Sequence, residues 1–214
     1  MSDEERGHSM KVLLINGSPK PKGCIGTAFQ IMCEEFAQAG VEAEVIDVGN
    51  KDIRGCVACG GCRKKGQCVF DDLVNETAPK FEEADGLVIG SPVLFGQPNG
   101  TVVNFVQRLF YSTPFPKAMK VGASVVSCRR GGNSASFEQL NQFFGISRMP
   151  IAPSTYWNDV HGYDGQDVYA DIEGVQTMRN LARTMTFLMR AIAAEKERSG
   201  LPDLPKVEFT NFIR

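Results

Sequence analysis

The stretch KVLLINGSPKPKGCIGTAFQIMCEEFAQAG, residues 11–40, decides the fold of this chain. It opens with a short apolar run, KVLLI (11–15), which is typical of a strand buried on both faces. A loop rich in glycine and proline follows, and residues 27–40 then have the apolar spacing of an amphipathic helix that ends at Gly40. A buried strand that leads through such a loop into a helix is the first unit of an α/β domain.

The same alternation continues to the end of the chain. Further strands are predicted at 42–48, 86–90, 121–127 and 149–157, and further helices at 72–84, 100–112, 134–145 and 175–197. Five strands that alternate with helices predict an α/β fold, an open five-stranded parallel sheet with helices on both faces. In such folds ligands bind beyond the carboxyl ends of the strands.

Length and composition indicate one domain. The chain has 214 residues, of which 43% are hydrophobic, and this is enough to bury a full core. We expect a disordered N-terminal segment at 1–10, the domain at 11–198, and an irregular C-terminal tail at 199–214.

Charge and hydropathy exclude several classes of partner. A net charge of −2 gives no electrostatic reason to expect nucleic acid or an anionic membrane as a partner. The N-terminus is acidic and polar, unlike a signal peptide, and the apolar runs are too short to span a bilayer. We therefore expect a cytoplasmic protein. Because thiols stay reduced there, its seven cysteines indicate metal or redox chemistry rather than structural disulfides.

The loop after the first strand has the features of an anion site. Glycines allow close backbone approach, Ser18 and Thr27 offer hydroxyls near a helix N-terminus, and Lys20 adds charge. The loop contains neither G-x-x-x-x-G-K-[ST] nor G-x-G-x-x-G, so a single phosphate fits better than a nucleoside triphosphate or a dinucleotide. The alternative is a plain strand-to-helix turn.

Two further loops lie at the same predicted edge. GSPVLFGQPNG (90–100) combines a stiff extended backbone with apolar side chains, which suits a flat ring, and SCRRGGN (127–133) adds Arg129 and Arg130. Taken singly, the loops also fit a turn with an exposed Phe and a solvated arginine pair. Three such loops at one edge favour flavin mononucleotide (FMN).

Several stretches resemble one family, the flavodoxin-like, FMN-binding NAD(P)H-dependent oxidoreductases, which includes NADPH-dependent FMN reductases and iron–sulfur flavoproteins. The resemblance covers nearly the whole chain after residue 10 and is carried by LLINGSP (13–19), RGCVACGGCRKKGQCVFDD (54–72), ADGLVIGSPV (84–93), SCRRGGN (127–133), YWNDVHG (156–162) and GVQTMRNLARTM (174–185). It implies a flavodoxin-like fold. The implied FMN-binding residues are Ser18, Lys20, Gly26 and Thr27 at the phosphate, Pro92, Val93, Leu94, Phe95 and Gly96 at the isoalloxazine, and Ser127, Arg129, Arg130 and Gly131 at its outer edge.

The loop GCVACGGCRKKGQC (55–68) contains four of the seven cysteines. The spacing Cys-x2-Cys-x2-Cys-x5-Cys resembles the compact [4Fe–4S] motif of iron–sulfur flavoproteins, with Cys56, Cys59, Cys62 and Cys68 as the implied ligands. Tetrahedral zinc and free thiols remain as alternatives, although zinc sites usually draw two cysteine pairs from separate segments.

YWNDVHG also contains the two residues that the resemblance places near the flavin of a neighbouring subunit, Trp157 and His161. The alternatives are a core tryptophan and a structural histidine. The last predicted helix has more apolar side chains than one sheet face needs, so we expect a homodimer or homotetramer.

These observations predict an FMN-dependent oxidoreductase that passes electrons from NAD(P)H through flavin to a small-molecule acceptor such as a quinone, a nitro or azo compound, or a flavin. Because flavin N5 carries the chemistry, no catalytic side chain is expected. The first alternative is an iron–sulfur flavoprotein electron carrier that serves a protein partner. The second is a thiol sensor without flavin.

Overall fold

The computed structural model describes residues 9–205, 208 and 210. The segment expected to be disordered, 1–10, lies outside these residues except for positions 9 and 10, and so does part of the expected tail. Within the described part, the last helix continues to Ser199, one residue into the range expected to be irregular.

The strands and helices follow the predicted alternation. The strands are β1 (Lys11–Asn16), β2 (Glu42–Asp47), β3 (Gly86–Leu94), β4 (Gln97–Pro98), β5 (Val121–Ser127) and β6 (Asp159–Val160). The helices are α1 (Cys24–Gln38), α2 (Cys62–Lys65), α3 (Leu73–Glu83), α4 (Gly100–Ser112), α5 (Asn133–Ile146) and α6 (Ile172–Ser199), with a 3-10 helix at Asp167–Ala170. None of the helices in the described ranges combines the length and apolar character that crossing a bilayer requires.

The sheet has the strand order β2-β1-β3-β5-β6, and all five of these strands are parallel. The short β4 pairs antiparallel with the end of β3. This order matches the flavodoxin-like doubly wound sheet, in which the order reverses at β1 and β3. The predicted α/β fold is therefore confirmed.

Each face of the sheet is covered by its own layer of helices. Leu14 and Val88 are fully buried in a cluster with residues of α1 and α6. Leu13 and Leu87 are buried on the opposite face, in a cluster with residues of α3, α4 and α5. The central strands β1, β3 and β5 are mostly apolar because both of their faces are covered.

The fifth predicted strand, 149–157, is wrong in extent. Ile151 makes an isolated bridge with Gly122, and the regular strand begins only at Asp159. Pro153 has no N–H group, so it cannot continue the hydrogen bonds to β5, and the chain leaves the sheet there. The chain returns to β5 at Asn158, whose carbonyl accepts from the Val126 N–H at 3.0 Å.

The segment predicted as a loop at 91–100 is partly a hairpin. β3 continues to Leu94, and the chain turns at Phe95 and Gly96 into β4. Both turn residues have positive φ, 52° and 76°, which is the conformation of a tight two-residue hairpin turn. The hairpin therefore extends β3 past the carboxyl edge of the sheet.

Candidate functional site

Residues from all three predicted loops line one cleft of about 880 Å³ at the carboxyl edge of the sheet. Its volume lies within the range of about 300–1,000 Å³ that small-molecule and cofactor sites occupy. The predicted site residues in its wall are Ser18, Lys20, Pro92, Val93, Leu94, Ser127 and Arg129.

Two buried asparagines hold the loop after β1 in place. The Asn16 side chain accepts from the Ser18 N–H at 3.0 Å and donates to Asp47 Oδ1 at 2.8 Å. Asn99 Nδ2 donates to the carbonyls of Gly17 and Gly49, at 2.8 and 3.3 Å. The loop backbone is thus fixed before any ligand binds, which favours recognition by its N–H groups.

The N-terminus of α1 faces this loop and has no side-chain cap. The first N–H groups of a helix lack intrahelical partners, so they can bind an anion together with the helix dipole. Ser18 Oγ accepts from the Lys20 N–H at 3.2 Å, and no described residue accepts the hydroxyl hydrogen. That hydrogen can be donated to a phosphate.

Other predicted residues lie outside the cleft wall. Gly26 packs so closely on the Pro21 carbonyl that a Cβ would stand 1.8 Å from it, and Thr27 is buried beneath Gly165. Phe95 is fully exposed at the hairpin tip. The predicted residues outside the cleft wall are Gly26, Thr27, Phe95, Gly96, Arg130 and Gly131.

The cleft contains residues that sequence reasoning missed, including Cys24, Cys128 and Tyr163. Cys24 Sγ donates to the carbonyls of Gly162 and Asp164 at 3.3 and 3.2 Å, which brings the segment after β6 over the start of α1. Burial raises the pKa of the Cys24 and Cys128 thiols, so both stay protonated at neutral pH. Cys128 could have been identified because it follows the last residue of β5.

His161 lies behind the cleft wall rather than in it. Its ring Nδ1 is 3.1 Å from Cys128 O, and its backbone N–H donates to Asp171 Oδ2 at 2.8 Å. Together with Trp157 it lines a separate polar pocket of about 240 Å³. Trp157 is 52% exposed and packs edge-on against Tyr156, so it is not part of the core.

The four cysteines of the motif line a second pocket, which we call the cysteine pocket: Cys56, Cys59, Cys62 and Cys68 with Arg108 and Tyr111 among its other residues. Cys56 and Cys59 are exposed, and Cys62 and Cys68 are half-buried. Asn75 of α3 fixes the last part of the loop, because its side chain accepts from the Cys68 N–H and donates to Cys68 O, both at 3.0 Å.

The arrangement of the thiols bears on which group they could hold. Within the described residues, no three Cys, His, Asp or Glu side chains lie close enough together to bind a single metal ion. Tetrahedral zinc requires all its sulfurs at about 2.3 Å from one ion, which these thiols do not offer. In a [4Fe–4S] cluster each thiolate binds a different iron, so the four sulfurs need not converge on one ion.

Comparisons with known proteins identify the family of this chain. The chain matches the NADPH-dependent FMN reductase family over residues 10–164. An iron–sulfur flavoprotein of Methanocaldococcus jannaschii is 31% identical over 194 residues, which covers 86% of this chain and 99% of that protein. An iron–sulfur flavoprotein of Methanosarcina thermophila is 27% identical, and the match covers 88% of this chain and 100% of that protein.

Solved structures have the same fold. RosB, with a bound 8-demethyl-8-formylriboflavin-5'-phosphate intermediate, superposes with a TM-score of 0.71 at 16% identity, covering 96% of this chain and 94% of RosB. A flavodoxin from the domain Archaea superposes with a TM-score of 0.54 at 12% identity, and the match covers 86% of this chain and 99% of the flavodoxin. The family match spans more than half of the chain, so the chain belongs to the NADPH-dependent FMN reductase family and is a flavin-binding oxidoreductase.

Proposed function

We propose that this chain is an iron–sulfur flavoprotein that carries electrons between FMN in the cleft, a [4Fe–4S] cluster in the cysteine pocket, and a protein partner. The observation that carries the proposal is that all four thiols of the motif line one pocket. The relatives named iron–sulfur flavoproteins support it further. It is tested by anaerobic purification followed by analysis of flavin, iron and sulfide per chain.

In this proposal the cleft residues bind and orient the flavin. Ser18 and the first N–H groups of α1 hold its phosphate, and Lys20 adds a positive charge at the rim. Pro92, Val93 and Leu94 provide the apolar wall for the ring, with Arg129 at its polar edge. When bound, FMN supplies the exchange between hydride and single-electron chemistry.

Basic residues beside the cysteine pocket favour an acidic protein as the electron partner. Arg63, Lys64 and Lys65 form α2 with Cys62, and all three are exposed. Positive charge at this position would also offset the negative charge of a cluster. Complementary charge speeds the encounter of two proteins at low ionic strength.

Lys64→Glu with Lys65→Glu is expected to slow electron exchange with an acidic one-electron carrier protein by at least roughly tenfold at low salt. The difference should shrink as salt screens the charges, and stopped-flow absorbance measures both rates. Lys196→Glu with Arg198→Glu, near the end of α6, changes the charge equally and serves as the control. An equal loss in both variants would argue against a docking site at α2.

A second candidate is direct oxidation of NAD(P)H with transfer to a small acceptor such as a quinone or a nitro compound. Tyr163 in the cleft wall is 91% exposed, so the cleft is open to small molecules. Undiminished NAD(P)H turnover with a quinone in a variant that lacks iron would favour this candidate. A thiol sensor without flavin disagrees with membership of a flavin-binding family.

We also propose a homodimer or homotetramer in which a partner subunit brings Trp157 and His161 to the flavin. On α6, Ile172 and Phe187 are each 69% exposed, which leaves apolar surface uncovered in one chain.

The free state of all seven cysteines fits the cytoplasm, where we place the protein.

Phe187→Asp is expected to weaken self-association at least roughly tenfold, because burying a Phe side chain contributes about 1.5–3 kcal/mol. Light scattering over a dilution series measures this. Ile146→Asp, at the end of α5, removes another exposed apolar side chain and should leave the assembly intact. A 23.4 kDa monomer for the unmodified, fully active protein would contradict the proposal.

A further inference from the structure

The cysteine pocket contains a buried arginine that the cysteine motif does not explain. Arg108, on α4, has a side chain only 1% exposed. Its Nε and Nη2 both donate to Cys68 Sγ, at 3.3 and 3.2 Å. A planar guanidinium thus presents two N–H groups to one sulfur.

The other side of the guanidinium is bound to a carboxylate. Arg108 Nη1 and Nη2 donate to the two oxygens of Asp72 at 2.6 and 2.9 Å. Burial by itself lowers the pKa of Arg108, but the hydrogen bonds to Asp72 and Cys68 outweigh it and raise the pKa, so the cation persists. Asp72 also accepts from the Val74 N–H as the N-cap of α3, which fixes the position of its carboxylate.

The contact with Cys68 has no counterpart at the other cysteines of the motif. Cys56 Sγ accepts from the backbone N–H of Ala58 at 3.4 Å, and Cys62 Sγ lies 3.9 Å from the carbonyl of Tyr111. Among the described residues, Arg108 is the one side chain that donates to any of the four sulfurs. Cys68 therefore has a charged hydrogen-bond donor that the other three cysteines of the motif lack among the described residues.

We propose that Arg108 is a positioning residue that raises the reduction potential of the cluster through its two hydrogen bonds to Cys68. The inference rests on the proposed function, since it requires a cluster in the cysteine pocket. A thiolate that binds iron gains negative charge when the cluster is reduced, and N–H donors on its sulfur stabilise that charge. An arginine keeps its proton at all working pH values, so its contribution does not titrate.

A purely structural role for Arg108 makes a different prediction. In that role Arg108 only joins α4 to the cysteine loop through Asp72. Any change that weakens the ion pair should then shift the cluster potential in the same direction. In the proposed role, losing the guanidinium lowers the potential, whereas losing the carboxylate charge beside it raises the potential. Two variants of one ion pair therefore shift the potential in opposite directions.

The test uses Arg108→Lys and Asp72→Asn in the anaerobically prepared full-length protein. Lysine keeps the charge but loses the two-pronged donor, and asparagine keeps the N-cap while removing the carboxylate charge. Arg54→Lys is the matched control, because it makes the same change at an arginine that donates to no described cysteine. Arg54 stacks on the same Phe70 ring as Arg108, at 4.6 Å for Arg54 and 5.1 Å for Arg108. Iron per chain is measured first, and redox titrations followed by electron paramagnetic resonance and absorbance then give the cluster and flavin potentials separately.

For Arg108→Lys we expect retained iron and a roughly tenfold smaller equilibrium constant for cluster reduction, a shift of about 59 mV to lower potential for one electron. Asp72→Asn should shift the cluster potential upward, and Arg54→Lys should shift it less than Arg108→Lys. The flavin potential should not move in any variant. If Arg108→Lys loses its iron, Arg108→Gln, which keeps a neutral N–H donor, is titrated in its place and should also shift the cluster potential downward.

An unchanged cluster potential in iron-loaded Arg108→Lys, or a downward shift in Asp72→Asn, would overturn this role and leave the proposed function intact. Unmodified protein that contains no iron after reconstitution with iron and sulfide would overturn both.

Discussion

Replacing any one of Cys56, Cys59, Cys62 or Cys68 with alanine is expected to abolish the [4Fe–4S] cluster and to leave FMN bound. Each thiolate would bind a different iron, and among the described residues no fifth cysteine lines the cysteine pocket to replace a lost one. Iron should fall from about four per chain to near zero, as four-cysteine ligation implies. Iron and sulfide analysis measures the loss, and the flavin bands measure retention of FMN, since the two pockets share no residue.

Cys33→Ala is the matched control for this series. Cys33, on α1, packs against the core and does not line the cysteine pocket. Burial raises the pKa of its thiol to about 11, so the thiol stays protonated at neutral pH. Its replacement should change neither iron nor flavin content. Iron retained in full by all four pocket variants would mean that the cysteines do not hold a cluster.

The sequence was sufficient for the fold because each strand is followed by its own helix. The runs at 11–15, 86–90 and 121–127 are mostly apolar, as is typical of strands buried on both faces, and the structure places all three side by side. The hairpin at Phe95 and Gly96 was missed because prolines at 92 and 98 indicate a loop, and because an aromatic residue does not reveal a positive φ.

Parts of the site could be predicted for a similar reason. The loops after β1, β3 and β5 lie at one edge because parallel strands end together, so Ser18, Pro92 and Arg129 lie in one cleft wall. The contribution of Tyr163 could not be predicted, since it depends on Cys24 holding a distant segment over α1.

The role of Arg108 was equally hidden in the sequence. It lies in the helical stretch VVNFVQRLFYS, where a charged residue is usually solvated. It is buried only because the cysteine loop folds over α4 and brings Cys68 and Asp72 to it from 40 and 36 positions away. A contact of this kind depends on how a loop closes, and periodicity within α4 contains no information about it.

Ser18→Ala combined with Lys20→Ala is expected to weaken FMN binding by roughly 100-fold. A hydrogen bond to a charged phosphate contributes about 1.5–3 kcal/mol, an exposed charge adds up to about 1 kcal/mol, and each 1.4 kcal/mol is tenfold in affinity. Titration of the flavin-free protein with FMN, followed by fluorescence quenching, measures the dissociation constant. The apolar wall at Pro92 and Val93 is unchanged, so the flavin that does bind should keep its absorption spectrum.

Thr27→Val separates the cleft seen in the structure from the binding set implied by family resemblance. The resemblance assigns a phosphate contact to the Thr27 hydroxyl, whereas the structure buries that side chain beneath Gly165, outside the cleft wall. Valine keeps the shape and removes the hydroxyl, so the affinity for FMN should change only a few-fold. A loss as large as that of the Ser18 and Lys20 variant would mean that the 162–165 segment moves when FMN binds and that Thr27 contacts the phosphate. Unchanged affinity for FMN in the Ser18 and Lys20 variant would instead mean that the loop after β1 does not bind the phosphate.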